Sequence, residues 1–296
     1  ALFGGVAAHA MRPLGAPLSS AIGVALTTAA HANGWPVAVG GSEAILRATL
    51  RRAEQHEVTF ETGRTVTSVD DLDTDLVLLD TSPAAAATIL GSRLPERVRR
   101  AYRRFEPAPG VYKLDLAVEG GVPWTHEASR AAGTVHVGGD LAEVAAAERD
   151  VVRGRMPERP FVLVGQQHLA DPSRSHGDVH PIYAYAHVPH GYSGDATETI
   201  LGRIEEYAPG FRDRVIAIAP RSISDAFTKN ANLVGGDVVG GANGMRQLVF
   251  RPRVALDPYA TGVPGAYLCS ASTPPGAGAH GMCGHLAARS ALRSLR

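Results

Sequence analysis

The stretch that most restricts what this chain can fold into is Tyr267-Leu-Cys-Ser-Ala-Ser-Thr-Pro-Pro-Gly-Ala-Gly-Ala-His-Gly-Met-Cys-Gly284. A short apolar strand is expected at 266–272, a Pro/Gly loop at 273–280 and a helix at 281–295. Gly276, Gly278 and Gly281 satisfy G-x-G-x-x-G in form. A dinucleotide fingerprint also needs a second strand bearing an acid ~20 residues further on. Only 15 residues follow Gly281, so no βαβ unit is expected there. More general physics still applies. Glycine lets backbone approach a flat ligand closely, and a helix N-terminus offers unpaired N–H groups with partial positive charge. Such an end suits a phosphate or the electron-rich edge of a flat heterocycle. The plainer reading is a tight Gly/Pro turn that only joins strand to helix.

The rest of the composition narrows the classes. Lys+Arg and Asp+Glu each total 29 in 296 residues, so no basic excess exists to neutralise a phosphate backbone, and no nucleic-acid partner is expected. Cys269 and Cys283 are the two cysteines, too few for a disulfide framework. No apolar run approaches the ~18 residues of a membrane span. The expected setting is cytoplasmic, with no transmembrane segment.

Small apolar residues dominate 1–34, where Pro13 and Pro17 break two short helices. An amphipathic helix is expected from Gly40 to His56, with Ile45, Leu46, Thr49 and Leu50 on its apolar face. Strands are expected at 58–61, 64–69 and 76–80, the last a continuous apolar run suited to burial on both faces of a parallel sheet. A helix begins near Ala84. The middle reads differently: Val111–Val118 alternates apolar and polar residues, as a half-buried antiparallel strand does. Strands at 134–137, 161–167, 182–187 and 215–219 follow, with helices at 142–153 and 196–207. Strand-rich sequence between two α/β-like segments points to an inserted domain. The divisions are 1–34 (a helical segment on the substrate side), 35–95, 96–225 and 226–296.

The sequence STPPGAGAHGMCGHLAARSAL, from Ser272 to Leu292, resembles the C-terminal signature of the phytoene desaturase-related flavoproteins, carotenoid-desaturase-like FAD oxidoreductases of the wider amine-oxidase-like group. Other stretches are similar to that family in the same order. Trp35–Ser42 resembles its P-x-G-G entry to a helix, Asp75–Pro83 its strand and crossover, and Gly110–Trp124 and Gly240–Pro252 parts of its substrate domain and return segment. The resemblance implies a fold of α/β plus α+β type. A partial FAD/NAD(P)-binding-type (glutathione-reductase-like) domain at 35–95 and 226–296 would surround an antiparallel-sheet substrate domain. The implied activity is FAD-dependent dehydrogenation or desaturation of an apolar, isoprenoid- or lipid-like small molecule.

By resemblance, backbone N–H groups of Gly281, Met282 and Cys283 would face the flavin pyrimidine, with Pro275, Gly276 and Ala277 lining the approach. Val66 matches the position whose backbone pairs with adenine. Thr81 and Ser82 fall where the chain passes the dinucleotide, and Gly40 and Gly41 would pack beside the cofactor. Where related proteins carry an acid at the end of the strand at 266–272, this sequence has Ala271 or its neighbours. No base is marked by a motif, and hydride transfer to a flavin does not require one. Arg246, Arg251 and His280 are the polar candidates for a catalytic role.

The family's members begin with a Rossmann strand, a glycine fingerprint and a ribose-binding acid, none of which stands in this sequence. The start, ALFGGVAAHA, carries no helix cap and no initiator Met. The expectation is therefore a C-terminal fragment whose FAD site is incomplete and which is inactive alone. A missing segment would expose apolar surface, for which a second copy of the chain is one occupant, giving a homodimer. The opening helices would then cover a substrate channel or touch a membrane surface peripherally, or simply pack in a core. Two other readings are a flavin-free binding or scaffold protein of the same fold, and a metal-dependent hydrolase using His176, His180, His187 and His190. Pro181, Gly177 and Pro189 interrupt the helix that a His176/His180 metal pair would need, so no metal site is expected.

Overall fold

The computed structural model describes residues 2–295. The chain opens with helices α1 (Leu2–Ala8), α2 (Ser19–Asn33) and α3 (Glu43–Glu54), then strand β1 (Val77–Leu79) and helices α4 (Pro83–Leu90) and α5 (Glu96–Arg103). The middle holds β2 (Gly110–Glu119), α6 (Glu127–Arg130), β3 (Thr134–Val137), α7 (Leu141–Val152), β4 (Val162–Gly165), β5 (Val179–Val188), α8 (Thr197–Glu205), α9 (Phe211–Arg214) and β6 (Val215–Arg221). It ends with α10 (Ile223–Lys229), α11 (Met245–Val249), β7 (Ala266–Leu268) and α12 (Met282–Ser294). Two compact units result: residues up to Glu61 with Pro109–Ala226, and Thr62–Ala108 with Phe227 onward. The structural divisions thus fall at 61/62, 108/109 and 226/227, beside sequence divisions at 34/35, 95/96 and 225/226. Residues 96–108 go with the second unit because α5 buries Val98 and Tyr102 in that unit's core.

The first unit is built on an antiparallel sheet of order β3-β4-β5-β2-β6. The alternation in Val111–Val118 is realised in full: Tyr112, Leu114, Leu116 and Val118 are buried while the residues between them are half-exposed. They meet Ile182, Ala184 and Ala186 of β5 and the apolar stripe of α8, Ile200, Leu201 and Ile204. β4 is buried at every position because both its faces are covered. Val162 and Val164 join that core, whereas Phe161 and Leu163 face Ala8 and Val144 on the opposite side. Pro13 and Pro17 do separate α1 from α2.

In the second unit β1 and β7 pair in parallel, with Val77 opposite Ala266 and Leu79 opposite Leu268. One side of the pair packs on α4 and α5 through Ala86, Ile89, Leu90 and Val98. Tyr267 and Tyr259 pack with Ala287 and Ala291 of α12. The architecture is mixed α/β, a parallel pair in one unit and an antiparallel sheet in the other. Among the described residues, no helix is long and apolar enough to cross a membrane.

Three local expectations need correction. The stretches 58–61 and 64–69 form no strand. Between 64 and 71, side chains take up the groups a ladder would use: the Asp71 carboxylate accepts the N–H of Thr67 and Ser68, and the Ser68 hydroxyl accepts that of Asp70. The helix expected at 40–56 is shorter, and its apolar face is not covered: Ile45 and Leu46 are each 56% exposed. The run at 76–80 is buried at Val77 and Leu79, but Leu78 points to solvent.

Candidate functional site in the second unit

Parallel pairing places the carboxyl ends of β1 and β7 side by side, and both strands leave the sheet there. The Cys269 N–H donates to Leu79 O at 2.9 Å, holding the two exits together. Carboxyl ends of parallel strands are where open α/β sheets bind ligands, because loops and helix N-termini gather there.

After β1, Asp80-Thr81-Ser82 turns into α4. The Ser82 hydroxyl caps that helix by accepting the Ala85 N–H at 3.2 Å, and Pro83 follows as a suitable first helical residue. Asn232 straps the turn, accepting the Ser82 N–H at 3.0 Å and donating to Asp80 O at 2.8 Å. Burial raises the Asp80 carboxyl above the usual carboxylate range. Thr81 donates its hydroxyl to Ser82 O.

After β7 the glycine loop is fixed from several sides. Ser270 O accepts both the N–H and the hydroxyl of Thr273. The Tyr259 phenol donates to Pro274 O at 3.1 Å. The Cys283 thiol lies 3.5 Å from Thr273 O and 3.4 Å from Gly276 O, tying loop to helix. Arg251 is 3% exposed and donates to Ala271 O, Gly241 O, Gln247 O and the Asn243 side-chain oxygen. Burial lowers its guanidinium from the ordinary arginine value. A Cβ on Gly276 would stand 3.0 Å from that guanidinium, and its φ of 107° is one that side chains rarely adopt. Glycine is therefore required for the loop to pass over Arg251. Burial, then the Asp80 and Cys283 charges, push the Cys269 thiol up to about 12.

The loop ends at α12. Gly281 is left-handed (φ 64°) and provides no side-chain cap. The His280 ring supplies one instead: its Nδ1 accepts the Met282 N–H at 3.0 Å. The N–H groups of Cys283 and Gly284 meet no protein acceptor among the described residues. A Cβ built on Gly281 or Gly284 would touch nothing within 4 Å. Beside the His280 cap, two backbone donors of the first turn are thus left without a protein partner, and neither Gly281 nor Gly284 places a side chain there.

The structure brings Thr81, Ser82, Pro275, Gly276, Ala277, Gly281, Met282 and Cys283 into one unit on these two strand exits. Val66 belongs to the same unit, half-buried against its core in irregular chain rather than in a strand. Gly40 and Gly41 lie in the first unit. There the Gly40 N–H donates to Asp171 at 2.8 Å, and Arg174 joins Asp171 to Ala38 O. Asp171 is held down to about 2 by the Ser173 hydroxyl, the Gly40 N–H and Arg174. Of the polar candidates, Arg251 is a loop clamp, His280 the helix cap, and Arg246 an exposed residue of α11. His187 pairs with Glu148 in the first unit's interior at 2.7 Å, and His180 stacks on His168 at 4.4 Å. Among the described residues, no group of three His, Cys, Asp or Glu is placed to hold a metal ion.

Sequence reasoning missed Asn232 and Asp237. Asp237 accepts the N–H of Ala108, Val239 and Gly241, fixing the segment that packs on Ala271. The order Asp-Val-Val-Gly-Gly was the available signal, an Asx turn closing on two glycines.

No family model matches the chain, and no curated protein matches it. Among solved structures it is similar to an oxidoreductase from Methanosarcina mazei, with 16% identity and a TM-score of 0.48. The match covers 86% of this chain and 55% of that one, so this chain spans about half that protein's length.

Proposed function

We propose that this chain carries the flavin-ring side and the substrate side of an FAD-dependent oxidoreductase acting on an apolar, isoprenoid- or lipid-like substrate. One observation carries the reading: the first turn of α12, beside the exits of two parallel strands, leaves the N–H groups of Cys283 and Gly284 without a protein partner. That donor set fits the pyrimidine edge of a flavin. The helix dipole favours negative charge there, by about 0.3–1 kcal/mol at an exposed end. The bound cofactor would supply a two-electron acceptor. Pro275, Gly276 and Ala277 would line the ring's approach, held by Tyr259 and Arg251. Backbone donors keep their position without side-chain reorganisation, which suits them to charge that develops during reaction. His280 fixes the first turn by taking the Met282 N–H. No residue of this chain is assigned as a base.

The apolar substrate class is supported by the first unit. The uncovered face of α3, with Ala38, Ile45, Ala48 and Val58, forms a shallow apolar surface. The test is equilibrium binding of an acyclic isoprenoid, an acyl lipid and a polar alcohol to the chain, which needs no turnover by the flavin-ring side alone. Saturable binding of the isoprenoid or the acyl lipid, with the polar alcohol silent, is expected. Equal binding of all three, or of none, would refute the substrate class.

A further inference from the structure

A second cleft in the same unit has no part in the flavin reading. It measures about 820 Å³ and lies among α5, α11 and the segment 252–262. That volume is within the range of small-molecule sites. Arg97, Arg100, Arg104, Arg246 and Arg253 line it, against two acids, Glu106 and Asp257. Asp257 is already engaged, accepting the N–H of Tyr259 and Ala260 and the Ser290 hydroxyl.

The arginines of α5 sort by face. Arg99 and Arg103 pair with Glu96, both at 3.5 Å. Arg97 and Arg100, with Arg104 just past the helix end, fall three and four residues apart on the face lining the cleft. None of these three, nor Arg246, pairs with a carboxylate among the described residues. The chain as a whole balances 29 basic against 29 acidic residues, so this local excess is not a general surplus. Arg253 is held by the protein instead: its Nη2 donates to Ala260 O at 2.7 Å, and its guanidinium lies beside the Tyr102 hydroxyl. The walls also offer apolar surface, with Phe250 47% exposed at the rim.

We propose that this cleft is a binding site for an organic phosphate, whose phosphoryl oxygens bridge guanidinium groups from α5 and α11 while its non-polar part lies against Phe105 and Phe250. Planar guanidinium forks match phosphate geometry, and like charges gathered in a concave site raise the local concentration of an anion. The site is independent of the flavin proposal.

Calorimetric titration of the full chain with inorganic phosphate, octyl phosphate and octanol tests this. Octyl phosphate is expected to bind saturably and more tightly than inorganic phosphate, weakening as salt rises, with octanol silent. Arg100→Gln and Arg246→Gln should each weaken octyl phosphate about tenfold, whereas Arg149→Gln in α7 leaves it unchanged. Both cleft arginines are exposed, so folding is preserved and circular dichroism checks it. Flotation with phosphatidylcholine vesicles, with and without phosphatidic acid, identifies the source. Arginine-dependent flotation without binding of soluble octyl phosphate keeps the site and assigns it to a lipid headgroup. Absence of both kinds of binding, or binding that survives the two substitutions, overturns the proposal.

Discussion

Gly284 separates the folding role of α12 from its ligand role. It stands in the helix's first turn, and a Cβ built on it meets nothing within 4 Å. Alanine there should stabilise the helix, since glycine costs about 0.5–1 kcal/mol relative to alanine, raising Tm by about 1–3 °C. Helical Cα–Cβ bonds tilt toward the N-terminus, so a leucine at 284 projects back over the open end. Gly284→Leu should therefore fold at least as well as the parent while occluding the Cys283 and Gly284 donors. Loss of one hydrogen bond to a charged group is worth about 1.5–3 kcal/mol, which corresponds to a tenfold or greater loss of flavin affinity. Thermal unfolding and FAD fluorescence quenching would be measured on the parent, Gly284→Ala and Gly284→Leu. A leucine variant that binds FAD as tightly as the parent would refute the placement of the ring. One that unfolds far below the parent would refute the claim that the space is open.

Three other outcomes follow from the same geometry. Arg251→Met should destabilise the chain by about 3 kcal/mol in urea unfolding, because it strips donors from the buried Gly241 carbonyl and the half-buried carbonyl of Ala271; a cost under about 1 kcal/mol would contradict the clamp. Gly265→Ala should cost about 2 kcal/mol or more, since its Cβ would stand 2.0 Å from Asp75 O at a φ of 73° and push the start of β7 off β1. His136 titrates at about 4, lowered by burial, then by His9 and His187, and His9 is lowered chiefly by burial. Both are neutral in the fold but protonated in the unfolded chain below about 6.5. The stability they permit is complete above that value and declines as pH falls toward about 4. Hydrogen exchange should show α1, which packs on β3 and α7, opening first on acidification, and His136→Phe should flatten that limb.

The sheet of the first unit was legible because β2 has one buried face, which period-two alternation reports directly, as Tyr112, Leu114, Leu116 and Val118 do. The strands β1 and β7 and helix α12 were legible as separate elements from Gly and Pro punctuation around short apolar runs, but their mutual parallel pairing was not. Residues 58–69 were misread because β-propensity does not reveal local competitors, here the Asp71 and Ser68 side chains. The apolar face of α3 was visible as a pattern, but a pattern does not state that a partner exists. At the candidate site, the glycines and Cys283 carried a local signal. Asn232 did not, because it acts on Ser82, more than 100 residues away, and the Asx turn at Asp237 does not announce its bond to Ala108. Nor did the sequence show that Arg251 is buried and Arg100 exposed; only packing separates two arginines of one composition.

The most direct test is gel filtration of the purified chain on a column equilibrated with FAD, which detects the weak binding expected of the flavin-ring side alone, following protein and flavin absorbance together. An excess of flavin absorbance under the protein peak, lost in Gly284→Leu, is the predicted result. A protein peak with no flavin excess would contradict the assignment of the α12 end as a flavin site.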